Sequence, residues 1–358
     1  MFIPEIMKNI KWSIFMKRIG LIIIAITIFS CAVVSEAEAK RGKNEKPKWV
    51  DNPASAYPEA YYLSAIGEGD TRSYAENMAA ANISRIFESQ VKADQSVSNR
   101  YSEIADATGV SSSETTDIAT NVNISSDQTL LNLKFGESYT DELGTVYLIA
   151  YIDRMKTATI YENRIAEANA KIVEFIKQGE NIKSRTHSYA YLSAAKLFHD
   201  QLAVMLQQLD IISANSRSMI ELGYDANALQ KKLNQVAEEV TFSIDLTNDE
   251  AGKIESVLQQ LLTSMGFRLS DNGLLKVQGS VDFSETDLGR DDYVFVRYDL
   301  QLKIIDDRGN IVAALSEKGR EGQNSFAEAK ARCVLKLQNK IEKTLQRKVV
   351  QFFDNLVK

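Results

Sequence analysis

The chain reads as an α+β protein, with two small mixed α+β domains separated by a three-helix module and preceded by a cleaved export signal. Three observations predict this. Apolar residues alternate with period two in one set of segments between 60 and 152 and in another between 240 and 316. Between the sets, residues 157–240 switch to apolar spacings of three and four. The first 39 residues combine a basic pair, an apolar run and a small-residue exit. The expected divisions are a signal over 1–39, a tether over 40–58, an α+β domain over 59–156, a helical module over 157–239 and a second α+β domain over 240–358.

The signal consists of Met16-Lys17-Arg18, the apolar run from Ile19 to Phe29, and then Ser30-Cys31. Its apolar core of about ten residues is too short to span a bilayer. The 15 residues ahead of Met16 make an awkward front for such a signal, which points to a start at Met16. Two processing sites compete. Cys31 stands where a lipoprotein enzyme would cut and acylate, and Ala39 closes the Ala37-Glu38-Ala39 pattern of ordinary signal peptidase. Phe29 occupies a position where a small residue is usual, so cleavage after Ala39 stays open beside acylation of Cys31. The expected location is outside the cytoplasm, as an outer-membrane lipoprotein or a periplasmic protein.

Residues 1–39 take four cations and three acids with them, so the formal charge of −6 becomes −7. An acidic body lacks the basic field that nucleic-acid binding needs. Of the two cysteines, Cys31 leaves or is acylated and Cys333 lies in a helical pattern as a buried thiol, so stability must come from packing rather than a bridge.

Residues 40–58 hold every proline except Pro4 and read as an extended spacer. Residues 60–67 read as a buried strand, with Gly67-Glu68-Gly69-Asp70 as its turn. Ser73 and Glu76 form a capping box for a helix that turns Ala75, Met78, Ala79, Ile83 and Ile86 to one side. A polar stretch over 96–127 follows. Val122 and Ile124, then Leu131, Leu133 and Phe135, mark strands, and Val146, Leu148, Ala150 and Ile152 alternate after the turn Asp141-Glu142-Leu143-Gly144.

In the helical module, Ile165, Ala168, Ile172 and Phe175 share a face of a helix expected to stop at Gly179. Ala195, Phe198, Leu202, Met205, Leu209 and Ile212 make a heptad seam of coiled-coil type, which the breakers Gly179 and Gly223 let fold back within the chain. A third helix, capped by Asp225, carries Ala226, Leu229, Leu233, Val236 and Val240. The last domain reads β-α-β-β-β-α: alternation over 240–246, an amphipathic helix over 250–265, strands over 275–279, 293–305 and 311–316, and a helix over 325–356.

No catalytic constellation emerges, and the chain is expected to be non-enzymatic, with no cofactor and no metal. Gly67-Glu68-Gly69 lies between a strand and a helix, but position 72 is Arg72 and not the third glycine of a dinucleotide loop. His187 and His199 are twelve positions apart with no cysteine nearby, which suits neither zinc nor a nucleophile–base pair. Asp282, Glu285, Asp287, Asp291 and Asp292 lack calcium-loop spacing and read as a solvated loop. Trp49 with Tyr57, Tyr61 and Tyr62 forms either an aromatic binding surface or the rim of a core.

Pro47-Lys48-Trp49-Val50, the run from Tyr61 to Gly69, the alanine-rich helix after it and Val146-Tyr147-Leu148-Ile149-Ala150-Tyr151-Ile152-Asp153 resemble, in this order, the Lpp-twenty lipoproteins of bacterial envelopes. The likeness covers about residues 46–156. It implies an envelope accessory role, linked to flagellar or surface assembly, without enzymatic activity. The C-terminal hairpin with Gly319-Arg320-Glu321-Gly322 and the helix after Ser325 loosely resembles domains of flagellar ring-associated proteins and of the curli-secretion lipoprotein. The implied function is a scaffold or assembly factor contacting envelope proteins, and a membrane through the lipid if Cys31 is acylated. The competing reading is a periplasmic ligand-binding or hydrolytic protein using the aromatic or the acidic cluster.

Overall fold

A computed structural model describes residues 45–88, 95–110, 131–287, 289 and 293–358. The expected signal with Cys31 and Ala39, the strands at Val122 and Ile124, and Asp291 and Asp292 lie outside the described residues. The fold is α+β.

One helical turn, α1 (Lys48–Asp51), precedes β1 (Tyr62–Gly69), α2 (Arg72–Glu88) and α3 (Gln95–Ala107). Strands β2 (Leu133–Thr140) and β3 (Val146–Asp153) complete an antiparallel sheet of order β1-β3-β2. The turn at 141–145 forms as read: Asp141 accepts from the backbone N–H of Leu143 and Thr145, and Gly144 takes φ +88°. The capping box does not. Thr71, two residues upstream of Ser73, caps α2 by accepting from the N–H of Tyr74 at 3.2 Å, and Glu76 pairs with Arg72 instead. Both residues can cap, and burial of Ala75, Ala79, Ile83 and Phe87 decides where the helix starts.

Gly67 and Gly69 are not a turn. Both lie within β1, without positive φ, and a Cβ on Gly67 would stand 2.0 Å from the carbonyl oxygen of Ala75 and 2.2 Å from the nitrogen of Ala79. The absent side chain lets the alanine face of α2 lie directly on the strand.

The spacer reading also fails where the structure describes it. Trp49 and Val50 are buried against Ile149, because an indole and a valine gain more by leaving water than a short segment loses in freedom. The segment thus lies on the sheet face opposite α2.

From β3 the chain enters α4 (Arg154–Asn181) directly, with Asp153 as N-cap. It returns through α5 (Arg185–Ile212), then α6 (Ala214–Ser218) and α7 (Ala226–Glu239), the last capped by Asp225 as read. Gly179 does not end α4. It is buried inside the helix facing Leu192, whose Cγ a Cβ would meet at 2.9 Å, and its carbonyl accepts from Ser188 Oγ at 2.6 Å. All six heptad-seam residues of α5 are buried within the chain. Phe198 meets Phe175 edge-on at 5.3 Å and Tyr101 of α3 at 4.6 Å. Arg154 ties sheet to hairpin: it donates to the carbonyl oxygens of Glu59, Ile211 and Ile212 at 2.7–3.0 Å, capping the end of α5.

The second sheet contains β4 (Thr241–Thr247), β5 (Arg268–Leu269), β6 (Leu275–Thr286), β7 (Val294–Ile305) and β8 (Ile311–Gln323), in the order β5-β4-β6-β7-β8. β4 is parallel to β5 and β6, with α8 (Lys253–Ser264) as the crossover, and the remaining pairs are antiparallel. β6 and β8 run well past the strands expected at 275–279 and 311–316. The predicted last helix is α9 (Phe326–Lys340), a π turn (Ile341–Leu345) and α10 (Gln346–Asn355) in succession. It covers one face of this sheet, with Cys333 buried and its thiol donating to the Val296 carbonyl at 3.4 Å.

A continuous apolar core runs from Ala75 through the helical hairpin to Val357. Phe353 of α10 packs on Tyr189 of α5 at 4.5 Å, and Asp354 beside it accepts two bonds from Arg100 of α3, at 2.8 and 3.0 Å. Asp354 is buried, so Asp354→Ala strands a partly covered guanidinium and is expected to lose about 2 kcal/mol. Urea unfolding of the single and double variants checks this: Arg100→Ala on top of Asp354→Ala should add little, and additive losses would disprove the coupling.

Candidate binding surface

The strand pairing sorts the first sheet into two faces. Leu148, Ala150 and Ile152 of β3 turn toward α2, and Tyr147, Ile149 and Tyr151 turn away. Residues paired with the second set join them on the outer face: Ser64, Ile66 and Glu68 from β1, Lys134 and Tyr139 from β2.

The segment before β1 lies on this face and organises it. Trp49 Nε1 donates to Glu137 Oε2 at 3.1 Å. The Tyr57 ring stacks on Tyr151 at 4.5 Å and meets Tyr62 edge-on at 5.3 Å. A Cβ at position 136 would stand 2.4 Å from the Tyr57 hydroxyl, so Gly136 makes room for it. Burial raises the Tyr57 phenol above its ordinary pKa, with Tyr151, Glu137 and Tyr62 adding to the rise. Tyr139 and Tyr147 stack at 6.2 Å, and Lys46, paired with Asp51, lies over the Tyr147 ring.

Of the predicted cluster, Trp49, Tyr57 and Tyr62 therefore come together, mostly as the rim of a small core, while Tyr61 is 66% exposed beside them. Glu137 and Tyr139 were not singled out from sequence, and Tyr147 and Tyr151 only as part of the motif from Val146 to Asp153, not as members of an aromatic surface. The alternation Tyr147-x-Ile149-x-Tyr151 carried the signal, since one face of that strand repeats aromatic residues. Chemically the surface offers ring faces and phenol hydroxyls, suited to stacking and hydrogen bonding.

No family model matches the chain, and no curated protein matches it in sequence. Among solved structures it is similar to the secreted protein HP1454 from Helicobacter pylori, at 13% identity and a TM-score of 0.42, over 80% of this chain and 97% of that one. It is also similar to a minor lipoprotein from Acinetobacter baumannii, at 16% identity and a TM-score of 0.23, over 32% of this chain and 91% of the other. A third is a PelC dodecamer from Paraburkholderia phytofirmans, at 18% identity and a TM-score of 0.21, over 28% and 82%. The Lpp-twenty resemblance rests on its short motifs alone. Among the described residues, no helix is long and apolar enough to cross a membrane.

The other sequence candidates are placed apart from this surface. His187 sits at the start of α5, where its Nδ1 lies 3.0 Å from the capping Ser184 Oγ. His199 Nδ1 lies 2.8 Å from the Tyr224 hydroxyl, and burial lowers its pKa, with Lys196 reinforcing and Asp200 opposing. The Tyr224 phenol is pushed up to about 12 by burial, with Asp200 adding to it. Asp282, Glu285 and Asp287 lie on or just after β6, and Asp282 accepts from Asn248 Nδ2 at 2.6 Å. Among the described residues, no three His, Cys, Asp or Glu side chains converge as metal ligands.

Proposed function

We propose that this is a non-enzymatic bacterial cell-envelope protein or lipoprotein that serves as a scaffold or assembly factor through protein contacts. The observation that carries the reading is the export-type start, Met16-Lys17-Arg18 with its apolar run to Phe29 and the processing choices at Cys31 and Ala39. The fold supports it by joining two sheets and a long helical hairpin through one core, which holds separate outward faces on one body. The tyrosine face is the contact surface we assign to a protein partner, since Tyr is enriched where interfaces form. Its short motifs resemble those of the Lpp-twenty lipoproteins, and on that resemblance a flagellar or surface apparatus is the setting we propose.

Intact mass and N-terminal analysis of the protein from membrane and soluble fractions of its own cell tests the address. A lipid mass on Cys31 makes it a lipoprotein, a free N-terminus at Lys40 makes it periplasmic, and an unprocessed cytosolic chain refutes both. Photo-crosslinking from Tyr61 and Tyr147 in the same cells then tests the contact: an envelope protein captured there but not from Gln278 is expected. The second reading, a periplasmic ligand-binding protein, draws on the same stacked rings, and a co-purified small molecule lost in Tyr61→Ala would favour it.

A further inference from the structure

The face of the second sheet turned away from α9 is polar, and its register brings like charges together. Arg297 of β7 and Arg320 of β8 are direct cross-strand partners, both exposed, with Ser284 of β6 opposite Arg297 on the other side. Like charges in such a position repel across about 5 Å and weaken the pairing. The row itself, Ser284, Arg297 and Arg320, holds no acid, although the Arg297 charge, after the bonds from Lys318 and Gln301, helps to lower the pKa of Asp299 one step along the same face. Asp299, two residues along β7 on the same face, already accepts from Lys318 at 2.7 Å and from Gln301 at 2.8 Å. Glu317 and Glu321 point to the opposite face, where they pair with Lys340 and Lys336 of α9.

Beyond the pair, Phe295 stands on the same face. Gly322 opposite it leaves the space its ring needs, since a Cβ there would be 2.6 Å from Phe295 Cε1. Tyr293, 47% exposed, continues the aromatic edge at a ring separation of 6.3 Å. Two guanidinium forks side by side match the oxygens of a phosphate, and aromatic rings next to them suit the headgroup level of a lipid surface.

We propose that Arg297 and Arg320, with the Ser284 hydroxyl, form a phosphate-binding fork that takes the headgroup of an anionic phospholipid, with Phe295 and Tyr293 meeting the interface beside it. This goes beyond the envelope reading, which needs neither this face nor a lipid contact through it.

Sedimentation of the full chain with vesicles of phosphatidylcholine, alone or containing phosphatidylglycerol, reads the site. The apolar N-terminal run contributes to both vesicle types and its Lys8, Lys11, Lys17 and Arg18 to the anionic one, so the arginines are read from the change in the ratio of the two affinities between wild type and variant. That ratio is expected to fall about tenfold from the wild type to Arg297→Gln with Arg320→Gln. Arg320→Lys keeps the charge but not the fork, and should lose most of the preference. Lys276→Gln with Lys303→Gln removes equal charge elsewhere on the same face and should preserve it. A wild-type ratio of one, an unchanged double arginine variant, or an equal loss in the lysine variant overturns the proposal. Inorganic phosphate provides the second arm: competition at constant ionic strength supports recognition of the phosphate group. Saturable phosphate binding lost in the arginine variant, without any vesicle preference, overturns the lipid as its source.

Discussion

Gly67→Ala is expected to cost about 4 kcal/mol, far more than one added methyl group normally does. The new Cβ would fall 2.0 Å from the Ala75 carbonyl oxygen, a backbone atom of α2 that cannot move without the rest of the helix. Lifting α2 would part Ala75, Ala79 and Ile83 from β1 and β3 and open the core of the first sheet. Gly144→Ala is the matched control. Gly144 has φ +88° and open space around it, so alanine there meets only backbone strain and should cost about 1 kcal/mol. Urea unfolding midpoints decide between them. Equal losses at the two positions would show that the helix does not bear on the strand.

Trp49→Ala should lose about 3 to 4 kcal/mol, because it empties the site of a buried indole and uncovers Ile149. Trp49→Phe fills most of that volume and gives up only a bond to Glu137, an exposed carboxylate that water can serve, and is expected to cost about 1 kcal/mol. Limited trypsin digestion gives a local readout of the same change. In the alanine variant, cleavage after Lys48 should quicken while the segment from β4 to α10 stays resistant; Lys46 is followed by Pro47 and is not a trypsin site. Cleavage at the wild-type rate would mean that the segment is not held down by its tryptophan.

Much of the fold could be read from apolar spacing, and the misreadings have identifiable physical sources. The α5 seam from Ala195 to Ile212 and the Asp225 cap were legible because each depends on neighbours within a few positions. Gly67 and Gly179 were misread because glycine has two uses, freedom of φ and absence of a side chain, and the sequence does not distinguish them. β6 and β8 were expected to be short because Gly279 interrupts the first and the outer half of the second is charged and glycine-rich, and only the partner strand reveals the continuation. The aromatic face was half legible: Trp49, Tyr57 and Tyr62 cluster near one another in sequence, but Glu137 and Tyr151 join them only through sheet register. The row that sets Arg297 against Arg320 is likewise a property of pairing, invisible in either strand alone.

The clasp between Arg100 and Asp354 spans 254 positions of sequence, and Phe353 beside it fills the space against Tyr189 and Phe267. A chain synthesised or threaded from its N-terminus therefore presents α3 and the flank of α5 long before the residues that cover them exist. Such non-local closure slows folding and leaves apolar surface uncovered in the interval. For this protein that surface is closed only once α10 is present, so a chain interrupted before its last helix would leave α3 and the flank of α5 bare.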